Sequence, residues 1–248
     1  MESKVRKSER RAVVPKVYCV TKYRNDISAA EKWGETVEMV ESPISPFATD
    51  RMAYNIAPQL SEFKQDDYFL LTGPVAGYII GSLILFEKYD WINVLRYNPL
   101  LSDYTHEIIR KPEVMQTESS FPPGRIFILN FIGHPIFAAL DYANPAIKTA
   151  DKIVTLTTGD IDQSDIENLT AKIAQKLADF QGGKSGDLIL LSGPAILNPI
   201  LAAVISAYNR ETTSLLLYNP KRGEYHKREI SLPHLKMISE LALKEEVA

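Results

Sequence analysis

Two short triplets carry the most chemical information in this chain: Thr72-Gly73-Pro74 and Ser192-Gly193-Pro194. Each follows an apolar run and precedes an apolar stretch of helical length. That setting suits an anion. Glycine lets the backbone turn steeply out of a strand. Proline fits the first turn of a helix, where its missing N–H costs nothing. The free N–H groups of that helix start then face a phosphate or similar group. The same residues would also make a compact strand-to-helix turn with no ligand, and spacing alone leaves both readings open.

Other candidates follow from position. In an open α/β sheet, ligands sit beyond the carboxyl ends of the strands, near the point where strand order reverses. This rule adds Lys22, Arg24, Asn130, His134 and Asn198 to the triplets as ligand-binding candidates. Lys22 and Arg24 bring positive charge. His134 falls in the turn after a strand, where a base or a plain capping group would both fit. No catalytic residue is assigned.

Several chemistries are excluded. Gly182-Gly183-Lys184-Ser185 resembles the end of a phosphate-binding P-loop, but Ala178 stands where glycine is required, and helix precedes strand instead of following it. No GxGxxG fingerprint is present, so no dinucleotide cofactor is expected. The four histidines lack metal-type spacing, and with the single Cys19 no metal site is expected. Ser192 lacks the G-x-S-x-G elbow of a hydrolase.

The elements that must position these residues are written twice. Asp67–Pro99 reads DYFLLTGPVAGYIIGSLILFEKYDWINVLRYNP, and Asp187–Pro220 reads DLILLSGPAILNPILAAVISAYNRETTSLLLYNP. Asp-x-x-Leu-Leu-(Ser/Thr)-Gly-Pro recurs at a spacing of 120 residues, and Tyr-Asn-Pro closes both copies. Upstream, β-branched runs at 16–21 and 126–130 read as first strands. The stretches 27–33 and 136–142 read as short helices, and amphipathic helices follow from Thr49 and Ser164. Ser164 and Glu167 have capping-box spacing, and Pro58 predicts a kink or early end.

Each copy therefore reads β-α-β-α-β-α-β-β. The expected fold is α/β: two tandem Rossmann-like repeats, each a mainly parallel sheet with an antiparallel terminal hairpin. The boundaries are a basic N-terminal arm 1–15, repeat 1 at 16–110, a proline-rich linker 111–124, repeat 2 at 125–232, and a C-terminal helix or tail 233–248.

Composition bounds the partners. The net charge of -3 over 248 residues gives no global case for nucleic acid, although the arm, with Lys4, Arg6, Lys7, Arg10 and Arg11, could touch phosphates or a neighbouring subunit. One cysteine allows no internal disulfide, which favours a cytoplasmic setting. No apolar run is long enough for a membrane span, and no apolar signal core is expected at the N-terminus.

The strand, Gly-Pro turn, apolar helix and "LLLYNP" hairpin resemble the CRISPR-associated Rossmann-fold (CARF) sensors and the small ring nucleases related to them. DLILLSGP and SLLLYNPKRGEY carry the likeness, which covers the second half of each copy. It implies paired units binding a cyclic oligonucleotide at the sheet's carboxyl edge across a two-fold axis. No invariant catalytic set matches, so no active site is carried over. VYCVTKYRNDISAAEKWG also resembles small one-unit proteins of phage genomes. The expected function is binding of a nucleotide or cyclic oligonucleotide between the repeats, with or without phosphodiester cleavage. The alternative, from another class, is a non-enzymatic assembly protein, virion-associated if viral, that self-associates through its apolar helices and basic arm.

Overall fold

The computed structural model describes residues 14–22, 26–41, 43–114, 121–131, 136–146, 148, 151–183 and 186–245. Arg24, His134, residues 4–11 of the arm and residues 115–120 of the linker lie outside them. The first sheet is built from β1 (Lys16–Cys19), β2 (Glu35–Glu38), β3 (Tyr68–Leu70), β4 (Trp91–Asn98) and β5 (Asp103–Arg110). The second uses β6 (Ile126–Phe131), β7 (Ile153–Thr158), β8 (Leu188–Leu190), β9 (Thr212–Asn219) and β10 (Glu224–Ser231). The orders are β2-β1-β3-β4-β5 and, read the same way, β7-β6-β8-β9-β10. Four strands are parallel in each, and the fifth pairs antiparallel as a hairpin. The chain is thus α/β, with two units of one plan.

Alternation along the strands sends side chains to two faces. Tyr18, Val20, Phe69 and Leu71 join the inner core, while Val17, Cys19 and Leu70 face outward. The second sheet divides likewise, with Phe127, Leu129 and Ile189 inside and Ile126, Ile128 and Leu190 outside. Between the sheets lie α1 (Thr49–Ser61), α2 (Val75–Lys88), α3 (Ile166–Leu177) and α4 (Leu197–Ala207). Each outer face is covered by a 3-10 helix, Ser28–Trp33 or Ile136–Tyr142. The sequence predicts α-helices there. The first, six residues closed by Gly34, is too short to recover the cost of nucleating one.

α2 and α4 are apolar on nearly all sides because each lies between a sheet and the other helix. They run side by side in one direction. Val75 and Ala76 at the start of α2 share a cavity with Asn198 at the start of α4, and near their ends Ser206 Oγ donates to Phe86 O at 3.4 Å. The carboxyl edges of both sheets therefore come together at one end.

The repeated motifs have structural explanations. Asp67 accepts the N–H groups of Lys16 (2.7 Å) and Lys64 (2.8 Å), tying the head of β1 to the turn before β3. Asp187 does the same in the second unit, accepting from Arg125 N (2.8 Å), Gly124 N (3.0 Å) and Gln181 N (2.9 Å). There the tie also holds a buried cation, with Arg125 Nη2 2.8 Å from Asp187 and Nη1 2.8 Å from Asp179. In Tyr-Asn-Pro, Asn98 and Asn219 accept from the N–H two residues on, an Asx turn. Tyr97 meets its cross-strand partner Tyr104 edge-on, and Tyr218 packs at a tilt against Tyr225.

Two details differ from the sequence-based expectation, and a third, the C-terminal helix, agrees with it. Asp165, not Ser164, caps α3, accepting from Asn168 N at 3.0 Å, because Ser164 is occupied with Asp162. Pro58 does not stop α1, which continues to Ser61. The C-terminal segment forms α5 (Leu232–Glu245), a 14-residue helix that buries Leu235 and Ile238 and packs on α1 of the first unit.

Candidate functional site

In each sheet the first strand lies between the second and third, so the crevice beyond its carboxyl end is the switch point. Both Gly-Pro turns border it. Gly193 has φ +88°, and a Cβ there would lie 2.5 Å from Asn130 Cβ, so glycine is required by conformation and by space. Ser192 Oγ fixes the turn to β6, accepting from Asn130 N (3.0 Å) and donating to Asn130 O (2.5 Å).

Two carboxamides at this turn are left half-satisfied. Asn130 Nδ2 donates to Gly159 O at 3.3 Å and Asn198 Nδ2 to Ala195 O at 3.0 Å. Their Oδ1 atoms are buried without a hydrogen-bond partner, in residues 1% and 3% exposed. A buried unpaired acceptor costs about 1–3 kcal/mol. Ser192, Gly193 and Asn198 wall a cavity of about 410 Å³ whose apolar sides come from both units: Phe47 and Val75 from the first, Leu217 and Tyr218 from the second. No charged side chain lines it among the described residues. Its size falls in the small-molecule range, toward the lower end.

The first unit is arranged differently. Gly73 has φ +112°, with a Cβ position 3.1 Å from Thr21 Cγ2. Thr21 Oγ1 donates to Glu38 Oε1 (2.9 Å), as does Lys22 N (2.6 Å). Lys22 Nζ turns to Thr36 Oγ1 at 2.9 Å, along the sheet edge. Tyr78 stands five residues after Gly73, as Asn198 does after Gly193. Its hydroxyl donates to Gly73 O at 2.8 Å, and burial pushes its pKa well above the usual tyrosine value. Thr72 and Gly73 open on a separate hollow of about 580 Å³ with Asp26, Tyr97 and Tyr104.

The structure therefore brings Ser192, Gly193 and Asn198 to one cavity, with Pro194 in the same turn and Asn130 beneath it. Thr72 and Gly73 border another hollow, and Pro74 caps α2. Arg24 and His134 lie outside the described residues. Phe47 was not legible as a site residue. Its loop is pulled across to the second unit by Arg228 Nε, which donates to Phe47 O at 2.7 Å, and by His226, whose ring lies 4.4 Å away. A larger groove of about 790 Å³ runs between α3 and residues 111–114, away from the strand ends. Among the described residues no group of three potential metal ligands occurs, and no helix is long and apolar enough to cross a membrane.

Comparison with known proteins bears on the units separately and together. Residues 11–110 match the model of a family described as phage Pam3 gp32-like proteins, a match that ends on the last residue of β5. No curated protein matches the sequence. Among solved structures, the SAVED/CARF-domain receptor Cap4 of Acinetobacter baumannii, with the cyclic trinucleotide 2'3'3'-cAAA, is similar at a TM-score of 0.54 and 9% identity. The alignment covers 88% of this chain and 52% of the receptor, so the chain spans about half of that protein's length. Both units and the helix layer between them thus have the fold of a SAVED/CARF-domain protein.

Proposed function

We propose that the chain binds a nucleotide or cyclic oligonucleotide at the cavity between its two units, the base against Ser192, Gly193 and Asn198. The observation that carries this reading is the orphaned Oδ1 of Asn198, a residue that lines the cavity where two parallel helices also begin. The N–H groups of Gly77, Leu197 and Asn198 already donate to Pro74, Pro194 and Ala195, so what the two helix starts side by side offer a ligand's phosphate is chiefly the positive ends of their dipoles. The cyclic trinucleotide named with the Cap4 receptor agrees in ligand class. Binding fits better than catalysis, since the described lining offers neither an acid nor a base. Cleavage, where it accompanies binding, would rest on positioning and on those helix dipoles. Calorimetric titration with a cyclic triadenylate tests the reading, and mass spectrometry of small molecules retained through purification tests it without choosing a ligand. A chain that retains nothing and gives no heat with the nucleotide panel counts against it.

A second reading, assembly, rests on Leu100 and Leu101. They are 94% and 65% exposed at the β4–β5 tip, where the second unit carries Lys221 and Arg222. The apolar α2 and α4 do not supply such a surface, because they bury one another. Sedimentation of the chain and of a Leu100→Ser, Leu101→Ser variant separates the readings: a parent oligomer that the variant dissolves supports assembly. For the basic arm we propose phosphate contact, tested by the salt slope of nucleic-acid binding after its removal.

A further inference from the structure

We infer that only the second unit can hold a base, so that each chain takes one ligand while the equivalent place in the first unit is closed by that unit's own side chains. This rests on the reading above and adds its stoichiometry and the chemical class of base.

The two turns can be compared position by position. Thr21 corresponds to Asn130, Gly73 to Gly193, and Tyr78 to Asn198, by the shared strand order and motif. In the first unit the polar atoms at these positions are satisfied internally. Tyr78 donates its proton to Gly73 O, and Thr21 donates to Glu38. In the second unit both corresponding residues keep a buried acceptor without a donor. Buried polar atoms are nearly always paired, so an unpaired one marks a place where a partner is missing. Two at one turn, and none at its counterpart, assign the missing partner to the second unit.

Electrostatics point the same way. Glu38 lies at the end of the first sheet's switch point and Asp26 borders the hollow beside Gly73. Carboxylates there oppose an anionic ligand, and Lys22, a cation at the same edge, is held by Thr36 along the sheet. The cavity beside Gly193 is lined by neutral groups. The first unit's contribution to that cavity is a wall, from Phe47 and Val75.

The orphaned atoms also state what they need. Both are carbonyl oxygens, so they require N–H donors; of the two residues Asn198 lines the cavity, whose other walls are mostly apolar and include the ring of Tyr218. A flat, amino-bearing nucleobase meets both conditions. A base with a carbonyl in place of that amino group would set oxygen against oxygen at that position, with only its ring N–H left as a donor on that edge.

The test is calorimetric titration of the full chain with cyclic triadenylate and with its all-inosine counterpart, which replaces each amino group by a carbonyl. Expected are one binding event per chain, at least about tenfold weaker binding of the inosine ligand, and a loss of about tenfold or more in Asn198→Leu. Tyr78→Phe, which removes only the hydroxyl, should keep affinity within about twofold. Melting curves confirm that each variant is folded, and Asn198→Ala, with the same loss expected, serves as a second probe if Asn198→Leu is not. Two ligands per chain, one ligand shared by two chains, or Tyr78→Phe losing as much as Asn198→Leu would overturn the one-sided assignment. Equal binding of both ligands would overturn the base class. A parent that binds neither ligand removes the underlying reading itself, which no outcome with measurable binding does.

Discussion

Asn198→Leu should act with opposite sign in two assays. In the free protein the asparagine contributes one side-chain hydrogen bond, Nδ2 to Ala195 O at 3.0 Å. Such a bond is worth about 1 kcal/mol net. Its loss strands nothing, because Ala195 O also accepts from Asn198 N at 3.1 Å. Against that loss stands the removal of the unpaired Oδ1, which costs the folded state about 1–3 kcal/mol. Leucine has the same branched skeleton as asparagine, with bulkier methyl groups in place of the oxygen and NH2, and the side chain already borders the cavity, which can take the extra volume. The balance runs from neutral to about 2 kcal/mol in favour of the variant, and at about 2–4 °C per kcal/mol for a chain of this size the melting temperature should hold or rise by several degrees. Ligand affinity should fall about tenfold or more. Differential scanning calorimetry of the free chain and titration of the ligand are the two readouts. A variant that loses more than about 1 kcal/mol of stability and binds normally would show that Asn198 serves the fold, and the reasoning would fail.

Four further outcomes are expected. Gly223→Ala should cost only the left-handed strain of about 1–2 kcal/mol, since its Cβ meets open space, whereas Gly193→Ala should cost clearly more, from the contact with Asn130; denaturant midpoints compare them. Asp187→Asn should destabilise by about 3–5 kcal/mol by leaving buried Arg125 without its inner partner, and Asp67→Asn, which holds only N–H groups, by about 1.5–3 kcal/mol; equal losses would contradict the assignment of the buried pair. His106 is packed between Trp33 and Tyr68, and burial lowers its pKa from 6.5. The unfolded chain then binds the proton first, so stability is full above about pH 6.5 and declines as pH falls below it; His106→Gln should flatten that decline in urea titrations at pH 5–7.5. Burial, with a contribution from Glu38, pushes the Cys19 thiol up to about 12, so thiol reagents should label it only at the rate of unfolding.

The fold was legible because its signals are periodic and duplicated. Asp67 and Asp187 recur for one reason, the tie to the head of the first strand, and Asn98 and Asn219 for another, the turn. The apolar helices follow from their place between a sheet and each other. What stayed hidden depends on contacts distant in sequence. The docking of α5 on α1 joins Leu235 and Ile238 to a helix nearly 180 residues earlier, and amphipathic patterning shows that a face is buried without naming its partner. The choice of Asp165 over Ser164 as cap turns on a competing bond to Asp162.

The two Gly-Pro turns were legible as turns but not as ligand sites, for a physical reason. A glycine with positive φ, a proline at a helix start and a hydroxyl tied to the first strand are what a chain needs to leave a strand and enter a helix in a few residues, with or without a ligand. Both turns meet that need, so motif matching scores them alike. They differ one helical turn later, at Tyr78 and Asn198. A tyrosine reaches back to Gly73 O and closes its own turn; the shorter asparagine bonds to Ala195 O instead and leaves its own oxygen without a donor. Whether a polar atom is satisfied depends on reach, on the path of the backbone and on what the other unit places opposite. The duplicated frame thus gives both units the same turn, and the unmatched positions within it decide which polar atoms are left unpaired.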